Sequence, residues 1–128
     1  MKTIIMSLAC GMTLFLGNFI QELGWKAPEH ADKTENPLIA NKTAADDGKK
    51  IFQKLCWSCH GESGKGDGPA SVNLKIKPAN FGSAAFQSQT DGAIYYKLSE
   101  GRGEMASYKN ILSSKQRWQT INYLRTLK

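Results

Sequence analysis

One short run of this 128-residue chain has the residue types for covalent cofactor chemistry: Cys56-Trp57-Ser58-Cys59-His60. Two thiols separated by two residues at the end of a helix can each add to one vinyl group of a haem. The imidazole next in sequence then reaches the iron from the proximal side. Other chemistries use the same residue types differently. A zinc site needs about four ligands, usually two cysteine pairs or a cysteine pair and a histidine pair, and outside the run only Cys10 and His30 remain. A dithiol redox pair belongs in a strand–turn–helix context, and no stretch of this chain alternates as a strand does. A simple Cys56–Cys59 disulfide leaves His60 without a purpose. The pattern predicts one haem c, attached through Cys56 and Cys59, with His60 as an iron ligand.

The second axial position is approached by elimination. Past residue 20 the chain has one methionine, Met105, and one other histidine, His30. Met105 lies in Gly101-Arg102-Gly103-Glu104-Met105, a loop after a helix. Its glycines let backbone, and with it a soft thioether, come close to a metal. A lone loop methionine is otherwise a packing or surface residue. His30 sits in a polar stretch ahead of the helices, where a solvated histidine is ordinary. Met105 is the favoured ligand, with His30 or an open position as alternatives.

The elements that must hold these residues are helical. Thr43 can cap a helix with Asp46 and Asp47 in its first turn, where the helix dipole favours negative charge. Gly48, Ile51, Phe52 and Leu55 then share one face at helical spacing. The stretch from Gly61 to Asn80, rich in glycine and with Pro69 and Pro78, reads as loop. Thr90-Asp91 opens a second helix carrying Ile94, Tyr95 and Leu98, stopped by Gly101 and Gly103. Ser113 and Gln116 form a capping box for a third, with Trp118, Ile121, Leu124 and Leu127 as its apolar stripe. The expected class is all-α, short helices around long loops that need something to pack against.

Ahead of this domain, residues 1–20 read as a signal peptide or N-terminal membrane anchor. Lys2 supplies the positive end, and Ile4 to Ile20 is an uncharged apolar run, between the lengths of a cleaved signal core and a minimal membrane span. Cys10 is a small apolar residue inside that run, with only a faint resemblance to a lipidation site. Residues 21–42 are polar, include Pro28 and Pro37, and read as a linker, although Trp25 and Asn36-Pro37-Leu38-Ile39 could instead fold back onto the domain. The domain proper is then 43–128. The formal net charge is +6. The lysines are scattered among acids and come with no nucleic-acid module, so nucleic acid is not the expected partner.

From about Thr43 onward the chain resembles the class I monohaem c-type cytochromes of the small bacterial type. Gly48 and Phe52 match the helix that crosses the C-terminal helix in that family, and Trp118, Tyr123 and Leu124 match the crossing positions on the last one. Gly64-Lys65-Gly66-Asp67-Gly68-Pro69 resembles the family's loop after the attachment motif. The resemblance implies that the Pro69 carbonyl takes the second N–H of His60 and orients its ring. Lys77-Pro78-Ala79-Asn80-Phe81 resembles a segment that packs near the haem edge. One departure is that the family's Met-Pro is Met105-Ala106 here, which implies a less restrained ligand loop and a labile Met–iron bond.

With His60 and Met105 both bound, the iron would have no open position, and outer-sphere one-electron transfer would be the remaining chemistry. The expected function is a non-enzymatic electron carrier of a respiratory or other redox chain. Lys65, Lys75, Lys77, Lys97 and Lys109 would steer it towards redox proteins with acidic docking surfaces, or to a membrane oxidoreductase complex. A haem-based gas sensor or small haem enzyme, with an open or labile sixth position, is the alternative from another class. A fixed cytochrome subunit of a membrane complex is a third. Covalent attachment of this kind implies export to the periplasmic side of the cytoplasmic membrane, soluble or anchored.

Overall fold

Helix α2 (Ala44–Leu55) carries Asp46 and Asp47 at its positive end and Lys54 at its negative end. Its buried face is Ala44, Gly48 and Phe52. The Thr43 hydroxyl does not cap it, contrary to expectation; it donates to the Asn41 side chain at 3.0 Å instead. In this computed structural model, which describes residues 24–128, α2 is followed at once by α3 (Trp57–His60), then a 3₁₀ helix (Pro69–Asn73), α4 (Ala84–Gln87), α5 (Asp91–Glu100) and α6 (Ser114–Leu124). A one-turn helix, α1 (Glu29–Asp32), precedes them. Among the described residues there is no strand, only an isolated bridge between Arg102 and Met105. The fold is all-α. The expected signal or anchor over 1–20, with Cys10 in it, lies outside the described residues, and no described helix is long and apolar enough to cross a membrane.

The caps of α5 and α6 are as their residues predict. Thr90 Oγ1 accepts from Ala93 N at 3.0 Å. The Ser113 hydroxyl accepts from Gln116 N at 3.2 Å while Gln116 Oε1 accepts from Ser113 N at 2.9 Å, a complete capping box. The core is Phe52, Phe81, Phe86, Ile94, Trp118, Ile121, Tyr123 and Leu124, with Leu127, beyond the end of α6, packed against it. Two aromatic contacts hold it across the chain: Phe52 meets Tyr123 at 5.2 Å, and Tyr95 stacks on Trp118 at 4.0 Å.

Residues 24–42 do not behave as a free linker. Ala31 is buried, and the Asp32 carboxylate accepts from the Thr90 hydroxyl at 2.9 Å. Buried Asn36 donates to Asp91 at 2.8 Å and to Asn122 at 2.7 Å, and Asn122 returns a bond to the Leu38 carbonyl at 2.8 Å. Asp91 is held in turn by Arg125 at 2.7 Å. The physical reason is polar satisfaction: burying an amide is costly unless its donors and acceptor are met, and here each is. Of the two readings of this segment, folding back onto the domain is the one the structure has.

The crossing of α2 and α6 is the closest approach in the frame. A Cβ on Gly48 would run into the Gln119 carbonyl and lie 3.0 Å from Thr120 Cα, backbone that cannot rotate aside. Gly48→Ala would gain about 1 kcal/mol of helix propensity and lose more to the forced separation of two helices. We expect net destabilisation of about 2 kcal/mol or more, read as a lower urea midpoint; an unchanged midpoint would contradict the tight crossing.

Candidate functional site

The attachment motif occupies the turn where α2 gives way to α3. Cys56 N still donates to Phe52 O at 2.9 Å, the last bond of α2, and His60 N donates to Cys56 O at 3.0 Å. Cys56, Cys59 and His60 are therefore presented together on little more than one helical turn. Both cysteines are unpaired thiols. Burial, and after it the neighbouring Cys59, pushes the Cys56 thiol up to about 12. A thiol held protonated is a poor source of thiolate and so does not suit the exchange chemistry of a dithiol oxidoreductase. No group of three or more metal-ligating His, Cys, Asp or Glu side chains is assembled among the described residues. The donor set fits a haem: two thiols and one imidazole on a single turn, backed by an aromatic core.

The glycine-rich loop closes over the end of α3. Gly66 N donates to His60 O at 2.8 Å and Gly68 N to Cys59 O at 3.1 Å, so two of the carbonyls left open at the helix end are satisfied. Phe81 N donates to Gly64 O at 2.7 Å and brings the Phe81 ring to stack on the His60 imidazole, 4.4 Å between centroids and 22° apart in plane. His60 Nδ1 lies 3.3 Å from the Ala79 carbonyl. This corrects the expectation for Pro69. Pro69 is the first residue of the 3₁₀ helix, where a carbonyl is directed along the helix to an amide three residues on; the orienting acceptor is ten residues later in the chain. Burial lowers the His60 pKa, and the Ala79 bond partly offsets it, so the neutral imidazole, the form that binds a metal, is favoured.

Met105 sits in a tight hairpin. Arg102 N donates to Met105 O at 3.0 Å and Met105 N returns the bond at 3.0 Å. Gly101 makes the turn into it with φ +68, a region unfavourable to residues with a Cβ. The loop that Ala106 leaves without a proline is held by other means. Glu104 accepts from Lys75 N at 2.8 Å, tying the hairpin to the loop after the 3₁₀ helix. The Ser107 hydroxyl donates to Ser99 O at 2.6 Å, and Tyr108 N to Leu98 O at 3.1 Å. The Tyr108 hydroxyl donates to Leu55 O at 3.2 Å, the residue before Cys56. The segment containing Met105 is thus fastened to both sides of the attachment motif. His30 is exposed and stands edge-on to Tyr96 at 6.2 Å. Sequence reasoning did not find Glu104 or Tyr108, since neither belongs to a motif; for Ala79 the signal was the Lys77–Phe81 segment itself.

Burial, followed by Cys56 and Cys59, raises the Tyr108 pKa above its ordinary 10.0. The folded state then holds a proton that the unfolded chain releases, so this contribution to stability is present below pH 10 and lost as pH rises through the raised value. The pH dependence of the urea midpoint above pH 10 should be shallower in Tyr108→Phe than in the parent; identical slopes would remove Tyr108 from the account.

The family model of Cytochrome c matches residues 45–128. Among solved structures, the reducing HAO-like protein complex Kustc0457/Kustc0458 of Kuenenia stuttgartiensis contains a chain 32% identical to this one, with a TM-score of 0.65. The match covers 71% of this chain but only 46% of that one, so this chain spans about half of its length. The KustC0563 c-type cytochrome is 26% identical with a TM-score of 0.57, over 64% of this chain and 98% of that one. Cytochrome CL of Methylophaga aminisulfidivorans MPT shares the fold, with a TM-score of 0.58 at 18% identity, over 78% of this chain and 68% of that one. No curated protein matches. With the Cys56–His60 motif inside the matched region, the chain belongs to the cytochrome c family, whose chemistry is haem-based electron transfer, and it binds haem c covalently through Cys56 and Cys59.

Proposed function

We propose that this protein is an exported one-electron carrier in which His60 and Met105 hold the two axial positions of the haem iron. Haem c supplies a one-electron couple when bound, and methionine in the sixth position raises its potential relative to a second histidine. The observation that carries the reading is the double fastening of the Met105 hairpin, through Glu104 to Lys75 N and through Tyr108 to Leu55 O. A loop held on both sides of the attachment motif can present its thioether at a set place. The chain's other contribution is orientation: the Ala79 carbonyl and the Phe81 ring fix the His60 imidazole before any metal is bound.

A carrier also needs a surface for brief encounters. Lys65, Lys75 and Lys77 are exposed, and Val72 (83% exposed) and Ile76 (57%) lie among them. That mixture supports fast, weak docking to an acidic redox partner. Lys97 and Lys109 contribute less, because Lys97 is bound to Gln89 and Lys109 pairs with Glu100 at 3.5 Å. Export to the periplasmic side, either free or tethered through residues 4–20, completes the reading. A second reading, a fixed cytochrome subunit, is favoured by one observation: the 32% identical neighbour is part of a complex.

The test is replacement of Met105. In haem-loaded protein, Met105→Ala should lower the reduction potential and convert the low-spin spectrum to one with an open position, whereas His30→Ala should leave both unchanged. A Met105→Ala protein with the parent's spectrum and potential would overturn the assignment. For the encounter surface, raising ionic strength should slow reduction by a physiological partner, and Lys75→Glu/Lys77→Glu should slow it further at low salt; salt-independent rates would count against steering.

A further inference from the structure

The aromatic ring of Trp25, ahead of all the helices, lies against two cations. The Arg102 guanidinium is 5.1 Å from its centroid and the Lys97 ammonium 5.9 Å. Arg102 is the residue that exchanges both backbone bonds with Met105. Lys97 is on α5, where burial and the nearby Arg102 charge depress its pKa. The Lys97 and Arg102 charges repel each other, and Asp32 offsets this at Lys97. The negative face of an indole offsets that repulsion and gives both side chains an apolar body to rest on. Trp25 is itself held in place, because α1 begins four residues later and is docked through Ala31 and Asp32, with Asn36 docking the chain just beyond it.

We infer that Trp25 is a positioning residue for the Met105 hairpin: the segment before α1 is a strap whose indole pins Arg102, and through Arg102 the ligand loop that has no proline after its methionine. The consequence for the iron rests on the proposed Met105 ligation; the mechanical link does not. In this chain the strap stands in for a local backbone restraint, and the lability of the sixth position is set from a residue eighty positions away.

Two readouts on full-length, haem-loaded protein test the inference. The first is amide hydrogen exchange at Arg102 and Met105, whose N–H groups make the bridge. Trp25→Ala should speed exchange at these two amides about fivefold, the effect of losing cation–π support of ordinary strength. Exchange at Tyr108 and Lys109, bonded to α5, should stay unchanged. The second is the rate at which ferric protein binds imidazole. Trp25→Ala and Arg102→Gln should each raise it about fivefold, the double variant should be no faster than either single one, and Trp25→Phe should retain most of the parent's protection. Ser113→Ala, which removes the cap of α6 and touches neither the strap nor Arg102, controls for general loss of stability. Unchanged Arg102 and Met105 amides in Trp25→Ala, additive effects in the double variant, or an equal response in Ser113→Ala would each overturn the inference. If the amides respond while imidazole binds equally fast to the parent, Trp25→Ala and Met105→Ala, the link stands and the ligation reading fails.

Discussion

The crossing of α2 and α6 at Gly48 sets the direction in which α2 runs, and α2 runs straight into Cys56. Because that crossing is made backbone to backbone, with a Cβ excluded at Gly48, the two helices have little freedom to slide. Phe52, one turn on, is fully buried against Tyr123 and Phe81. The attachment turn then emerges from a core that cannot shift without opening the aromatic cluster. This matters for an electron carrier, whose oxidised and reduced forms interconvert fastest when little of the protein has to move.

The loops supply the rest of the site, and each is tied to another by few bonds. The glycine-rich loop is fastened to the carbonyls of Cys59 and His60, and the Phe81 segment to that loop through Gly64. The Met105 hairpin is fastened to Lys75 N on one side and, through Tyr108, to Leu55 O on the other. The acceptors are backbone carbonyls or a carboxylate, and the donors come from segments with no regular structure of their own. Such a network is cooperative: loosening one tie frees a segment that another depends on. The N-terminal segment joins it through Asn36, whose amide is met by Asp91, Asn122 and Leu38 N.

Much of this was legible in the sequence, and for particular reasons. The attachment motif has a spacing dictated by its chemistry, so its role could be read without a fold. The last two long helices announced themselves through Thr90 and through Ser113 with Gln116, because caps are local chemistry. Gly48 and Phe52 were legible as a face, though not the reason glycine is needed there. What could not be read was long-range and carried by backbone. The acceptor for His60 is the Ala79 carbonyl and not that of Pro69, and a carbonyl leaves no mark on the sequence. The docking of residues 24–42 depends on Asn36, Asn122 and Asp91 meeting across most of the chain. Polar residues with such partners look the same in sequence as polar residues in a tether. Tyr108 and Glu104 were missed for the same reason, since their partners are main-chain groups far away in the sequence.

The central claim is that this chain closes both axial positions of its iron with His60 and Met105 and so leaves no site for an exogenous ligand. The most direct measurement is the optical spectrum of ferrous, haem-loaded protein before and after carbon monoxide is added. The account predicts a low-spin spectrum that carbon monoxide leaves unchanged on the timescale of mixing. A prompt shift to a carbonyl-bound spectrum would contradict it and would make this protein a sensor or an enzyme rather than a carrier.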